Sequence, residues 1–146
     1  MFKKLKIIGL SLILAVGVFG CSKTNTSIEN DNLKICLVLD EGGVNDQSFN
    51  QSAWEGALAS KEKYRVEVSY IESKSESEYF QNVETAIDQG SDLIIGVGFK
   101  LTDTLKEASE SYPNQKFAII DGSYENTPSN ITSIYLMKQG QDIVLA

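Results

Sequence analysis

The sequence contains no histidine and only two cysteines among its 146 residues. Histidine is the commonest general base and the commonest metal ligand in proteins, so neither a histidine-based acid–base site nor a histidine metal site can form. The two cysteines, Cys21 and Cys36, are too few to build a thiolate metal site. No pattern of a lysine-activated serine is visible, so we expect a binding protein without catalytic activity or cofactor.

Basic residues are also scarce. Lysine and arginine total 13 against 20 aspartates and glutamates, which gives a net charge of −7. Residues 1–20 contain three lysines and no acid, so the remainder holds 20 acids against 10 bases. Nucleic-acid binding needs a basic face, and this composition therefore excludes nucleic acid as an expected partner. The hydrophobic content of 42% is ordinary for one globular domain.

The chain begins with a basic segment followed by an apolar run that is too short to span a membrane, which predicts a signal peptide over residues 1–20. The run ends Val18-Phe19-Gly20-Cys21, which resembles a bacterial lipobox, although Phe19 replaces the usual small residue. We expect lipidation of Cys21 and anchoring to the extracytoplasmic side of the cell membrane. Residues 21–33 would then form the lipidated cysteine and a flexible polar tether.

Beyond the tether, apolar runs alternate with helical patterns, which predicts an α/β lobe over residues 34–146. Two of the runs are nearly continuous and indicate strands that are covered on both faces, as in a parallel sheet. The predicted order is βαβαβαββ, in a three-layer, Rossmann-like sandwich. The predicted strands cover 34–39, 65–71, 92–97, 116–120 and 131–136, and the predicted helices run from about 49 to 63, 78 to 89 and 101 to 112.

Three core strands end at a carboxylate or at a glycine-bearing turn. Asp40, the Gly98-Phe99 turn and Asp121 each come directly after a core strand. Because the carboxyl ends of parallel strands meet at one edge, these residues should line one wall of a pocket. Each carboxylate either accepts hydrogen bonds from a ligand or caps a following turn. Together with Asp46 they could hold a metal ion, but their spacing does not match an octahedral oxygen cage.

The first helix begins beside this edge, and two residues of its first turn are candidate ligand contacts. Phe49 either belongs to the core or provides an aromatic platform for a flat ligand. Asn50 offers both a hydrogen-bond donor and an acceptor. The glycine pair before them fits neither a dinucleotide-binding pattern nor a phosphate-binding loop.

The residue that caps this helix is left open by the sequence. Ser48 with Gln51 three residues later has the spacing of a capping box. Asn45 and Asp46 are alternatives, because both side chains can accept hydrogen bonds from backbone N–H groups.

Residues 40–56 resemble the signature of the basic membrane protein family. These are bacterial surface or periplasm-facing lipoproteins that include purine nucleoside receptors of ABC uptake systems. The resemblance covers nearly all of the chain after the tether, and further matching segments lie at 90–94, 98–103 and 117–121. It implies a type I periplasmic-binding-protein fold, in which two Rossmann-like lobes hold the ligand between them.

The resemblance also implies roles for four residues of this chain. Phe49 would stack on the purine, Asn50 and Asp40 would hydrogen-bond the base, and Asp121 would bind the ribose hydroxyls. The implied function is that of a membrane-anchored substrate-binding lipoprotein, with a purine nucleoside and an ABC transporter permease as partners.

The family has a second lobe of similar size, and residues 137–146 lose the apolar helix pattern expected there. We therefore expect only the N-terminal lobe, with the second lobe missing. The alternatives are a surface-exposed lipoprotein that binds a host protein, and a non-functional remnant.

Overall fold

Five apolar segments form one sheet in the computed structural model, which describes residues 32–135. The strands are β1 (Lys34–Leu39), β2 (Glu67–Glu72), β3 (Leu93–Val97), β4 (Lys116–Ile120) and β5 (Ile131–Ile134). The helices are α1 (Phe49–Tyr64), α2 (Tyr79–Asp88) and α3 (Thr102–Ser111), and short 3₁₀ turns cover Glu76–Glu78 and Phe99–Leu101. The element order and type agree with the prediction, and boundaries differ by a few residues.

Several predictions concern parts of the chain outside the described residues. They are the signal peptide over 1–20, lipidation of Cys21, nearly all of the tether, and the departure from the family pattern over 137–146. Between residues 32 and 135, no helix is both long and apolar enough to cross a membrane.

The order of the strands by itself predicts where a ligand binds. The strands lie in the order β2-β1-β3-β4-β5, and every neighbouring pair is parallel. From β1 the chain first goes outward to β2 and then returns to β3 on the other side of β1. In sheets of this order, ligands bind outside the carboxyl ends of the strands at that reversal, between β1 and β3.

Alternating side chains of β1 pack against helices on opposite faces of the sheet. Cys36 and Val38 belong to the cluster that packs under α2 and α3, whereas Leu37 and Leu39 belong to the cluster under α1. All four are at most 1% exposed. Because successive strand residues point to opposite faces, this pattern gives the three predicted layers. It also makes Cys36 a buried apolar residue, as predicted.

Asp46 caps α1. Its Oδ1 accepts hydrogen bonds from the backbone N–H groups of Ser48 at 2.8 Å and Gln51 at 3.1 Å, and its Oδ2 accepts one from Asn50 at 3.1 Å. Burial alone would raise the pKa of Asp46, but these N–H groups hold it below its usual value. The Ser48 side chain makes no capping hydrogen bond, so the capping-box alternative is wrong and the Asp46 alternative is correct.

The last strand joins the sheet without a preceding helix. Asn130 stands just before β5, is 9% exposed, and donates from Nδ2 to three backbone carbonyls. These belong to Ser109 and Tyr112 at 3.2 Å and to Gln115 at 3.1 Å. The bond to Ser109 satisfies a carbonyl in the last turn of α3, and the other two bonds hold the connection that follows the helix. Together they attach the end of α3 to the segment that enters β5.

Candidate functional site

A cavity of about 110 Å³ lies at the carboxyl ends of β1, β3 and β4, beside the reversal in strand order. The four residues predicted to bind ligand all line it. Its lining residues are Asp40, Asp46, Phe49, Asn50, Val97, Gly98, Phe99, Lys100 and Asp121. A larger depression of about 410 Å³ near Tyr112 contains none of the four.

Asp40 and Asn50 contact each other directly. Asn50 is 2% exposed, and its Nδ2 donates to Asp40 Oδ1 at 2.7 Å. The same oxygen accepts a hydrogen bond from the Gly42 N–H at 3.0 Å. A side chain at Gly42 would put a Cβ 3.1 Å from Asp40 Oδ1 and 3.2 Å from Asn50 Nδ2. A glycine at this position therefore allows the turn to pack tightly against the pair.

A second polar cluster joins three connections of the sheet. Lys100, after β3, places Nζ 3.0 Å from Glu41 Oε2 and 4.0 Å from Asp40 Oδ2. Tyr79, the first residue of α2, donates its hydroxyl to the same Glu41 oxygen at 2.8 Å. A backbone hydrogen bond and then the Tyr79 and Lys100 contacts lower the pKa of Glu41 to about 2. The pKa of Lys100 is raised, first by its hydrogen bond with Glu41.

The sequence did not identify this second cluster. Tyr79 and Lys100 are 38 and 59 residues from Glu41, so no local spacing indicates that they meet. Only the position of Lys100 shortly after a strand end could have marked it as a residue of the same sheet edge.

Two aromatic rings lie exposed at the cavity. Phe49 is 46% exposed and Phe99 is 71% exposed. Of the two alternatives for Phe49, the structure therefore excludes a place in the core. The backbone of Gly98 has a φ of 93°, which favours glycine, and it directs the chain into the turn that holds Phe99. The sequence placed Phe99 at this edge but did not assign it to ligand contact.

Asp121 adopts a left-handed backbone conformation as the chain leaves β4. Its φ is 58°, a value that aspartate tolerates better than most residues. Its N–H donates to the carbonyl of Ile134 at 2.8 Å, so β5 holds the turn in place. This turn explains how the Asp121 carboxylate comes to line the cavity rather than continuing the strand.

The charges at the cavity disfavour an anionic ligand and favour one rich in hydrogen-bond donors. Asp40, Asp46 and Asp121 contribute three carboxylates, and among the lining residues Lys100 is the single cation, already paired with Glu41. Carboxylates only accept hydrogen bonds when ionised. Within the described range, no group of three or more metal-ligating side chains comes together. The acceptors and exposed aromatic rings of the cavity are suited to binding a ligand.

Comparison with known proteins supports the same conclusion. Residues 34–141 match the family described as ABC transporter substrate-binding protein PnrA-like. The chain is 37% identical over 147 residues to the CD4+ T-cell-stimulating antigen of Listeria innocua, covering 92% of this chain and 41% of the relative. It is 37% identical to the ABC transporter nucleoside-binding protein BmpA of Lactococcus lactis, covering 89% of this chain and 40% of the relative.

Solved structures share the fold. A lipoprotein fragment from Peptoclostridium difficile superposes with a TM-score of 0.65 at 33% identity, covering 70% of this chain and 84% of that one. A solute-binding protein of an ABC transporter system from Aeropyrum pernix gives 0.64 at 31% identity, covering 69% of this chain and 28% of that one. The match to a small part of the latter agrees with a single lobe of the type I periplasmic-binding-protein fold.

The chain spans about two fifths of the length of the curated relatives it matches, at 41% and 40%. The family match nevertheless covers most of the described residues and includes every element that lines the cavity. The chain therefore belongs to the family of PnrA-like ABC transporter substrate-binding proteins.

Proposed function

We propose that this chain contributes one wall of a purine nucleoside site in an extracytoplasmic receptor of an ABC uptake system. The observation that supports this most directly is the cavity at the β1–β3 reversal. It combines exposed aromatic rings with carboxylates. A purine nucleoside has a flat base for an aromatic face and hydroxyl groups for acceptors.

In this proposal each cavity residue contacts a different part of the ligand. Phe49 stacks on the base, Asn50 hydrogen-bonds the base edge, and Asp121 accepts hydrogen bonds from the ribose hydroxyls. Asp40 lies beside Asn50 at the base end. The permease of the transporter is the protein partner, and the receptor has no enzymatic step of its own.

The size of the cavity indicates that the described residues provide part of the site. Its volume of about 110 Å³ is well below the ~300–1,000 Å³ of a typical small-molecule pocket. We infer that the remaining wall is formed by protein that residues 32–135 do not include. An open wall leaves much of the ligand in water, so residues 32–135 by themselves should bind weakly.

The proposal is tested by titrating the full chain, extracted in detergent, with adenosine, inosine, guanosine and uridine. Ligand-detected NMR measures binding in each titration. We expect the purine nucleosides to bind more tightly than uridine. Replacing Phe49 by Ala should weaken purine binding by about 5- to 150-fold, because base–aromatic stacking contributes ~1–3 kcal/mol. Phe80→Ala, on the sheet face away from α1, serves as the control for a general loss of structure.

The same titration with adenosine 5′-monophosphate tests how the charges at the cavity affect ligand choice. Three carboxylates and a paired lysine should disfavour an added phosphate, so we expect weaker binding of the nucleotide than of the nucleoside. Absence of binding by every nucleoside would count against the proposed function.

Anchoring is proposed as a separate step: a lipid on Cys21 would hold the receptor at the membrane. Growth of expressing cells with labelled palmitate should label the wild-type chain and leave the Cys21→Ser variant unlabelled. Label on that variant, or none on the wild type, would contradict this.

A further inference from the structure

The amide of Asn50 has a single orientation that follows from chemistry. Its nitrogen lies 2.7 Å from Asp40 Oδ1. An ionised carboxylate accepts hydrogen bonds and cannot donate one, so the group of Asn50 that faces Asp40 must be the NH₂. The carbonyl oxygen then faces away from Asp40. No hydrogen bond to that oxygen occurs among residues 32–135, although the side chain is nearly buried and lines the cavity.

The partner that sets this orientation is itself held from several directions. Asp40 Oδ1 also accepts the Gly42 N–H at 3.0 Å. Its second oxygen, Oδ2, lies 4.0 Å from Lys100 Nζ, and Glu41 holds that ammonium group at 3.0 Å. Because the Gly42 N–H donates to Asp40 Oδ1, that oxygen is an acceptor, and the Asn50 group that faces it is a donor.

We propose that Asp40 is a positioning residue that locks Asn50 with its carbonyl oxygen towards the ligand, so that the site selects bases with a hydrogen-bond donor on the edge that faces Asn50. This inference rests on the proposed function and adds a basis for selectivity to it. Adenosine offers its exocyclic amino group, and inosine offers its N1–H. Purine riboside has the same rings and ribose but no donor on its base.

A base without a donor leaves the nearly buried acceptor of Asn50 unpaired. Sites built to hydrogen-bond a ligand group reject analogues that lack it, because the protein group loses its partner. We expect the full chain to bind adenosine and inosine at least about tenfold more tightly than purine riboside.

The variant Asp40→Asn keeps the shape of the side chain and removes the constraint. An amide at position 40 can either accept from or donate to Asn50, so both orientations of Asn50 become available. We expect the ratio of dissociation constants between purine riboside and adenosine to fall to within about threefold. If Asp40 had a purely structural role, the substitution would weaken the binding of both ligands equally and leave this ratio unchanged.

The experiment measures both dissociation constants by ligand-detected NMR for the wild type, Asp40→Asn and the control Asp88→Asn, which changes an exposed aspartate at the end of α2. The control should retain the wild-type ratio. Asn50→Ala is the second variant and should also abolish the selectivity. It separates the positioning role from direct acceptance of the base donor by Asp40, because direct acceptance would leave the selectivity of Asn50→Ala intact.

The outcomes separate the two proposals. Binding of nucleosides with full selectivity retained in Asp40→Asn, or in Asn50→Ala, would overturn the positioning role and leave the proposed function standing. Wild-type binding of purine riboside as tight as that of adenosine would do the same. A wild-type chain that binds no nucleoside would overturn the proposed function and this inference with it.

Discussion

Replacing Asp46 by Ala is the sharpest test of how α1 is fixed. The substitution removes the acceptor of the three backbone N–H groups at residues 48, 50 and 51. Loss of an N-cap side chain costs ~0.5–2 kcal/mol of folding stability, and a cap with three partners belongs near the upper end. We therefore expect Asp46→Ala to lower the free energy of unfolding by about 2 kcal/mol at neutral pH.

Urea unfolding of the full chain, followed by circular dichroism, measures this change. With a denaturant slope of ~1–3 kcal/mol per molar for small proteins, the midpoint should fall by about 1 M. Ser48→Ala is the matched control. Its side chain makes no capping hydrogen bond, so its midpoint should stay within about 0.3 M of wild type. Equal shifts for both variants, or a larger one for Ser48→Ala, would refute the assignment of Asp46 as the cap.

The pH dependence gives an independent check. The pKa of Asp46 is lowered in the folded chain, so its stabilisation is complete above the ordinary aspartate pKa of about 3.9 and is lost as the pH falls through the folded value. The difference in the free energy of unfolding between wild type and Asp46→Ala should therefore become smaller below about pH 4. A difference that stays constant down to pH 2 would mean that the carboxylate charge is not involved.

Two further substitutions test contacts between distant elements. Asn130→Ala removes the side-chain donor of the Ser109 and Gln115 carbonyls, whereas the Tyr112 carbonyl keeps the Gln115 N–H. We expect thermal unfolding to show a loss of about 2 kcal/mol in the free energy of unfolding. A loss under about 0.5 kcal/mol would show that water replaces the amide. Glu41→Gln removes a carboxylate whose pKa is about 2, below the ordinary glutamate value of about 4.3. The stabilisation that the Glu41 carboxylate gives to the fold is therefore complete above about pH 4.3 and is lost as the pH falls towards about 2. The melting temperatures of wild type and Glu41→Gln should differ at pH 7 and converge below pH 4, and a gap that widens on acidification would contradict this.

Local patterns account for most of what the sequence predicted correctly. The continuous apolar runs before Asp40 and Asp121 indicate buried parallel strands, and hydrophobic spacing indicates the helices between them. Since the carboxyl ends of parallel strands share an edge, the prediction that Asp40, Phe99 and Asp121 meet there needed no knowledge of the packing. All three line one cavity in the structure.

The details of side-chain pairing were beyond the sequence. Ser48 and Asp46 both have suitable side chains for the cap, and the path of the turn decides between them. The carboxylate of Asp46 reaches the free N–H groups, whereas Ser48 has a φ of −144° and a ψ of −128° and makes no such bond. Exposure of Phe49 was equally undecided, because a helix periodicity does not show which elements reach its first turn.

By itself, the sequence determined the order of strands and helices, the parallel sheet and the edge where ligands bind, since these follow from periodicity within short segments. The tertiary structure alone decided that Glu41 joins Tyr79 and Lys100, and that Asp40 accepts a hydrogen bond from the amide of Asn50. Tyr79 and Lys100 are 38 and 59 residues from their partner Glu41. Such contacts depend on strand register and on how crossover connections pack, and neither is contained in a local pattern.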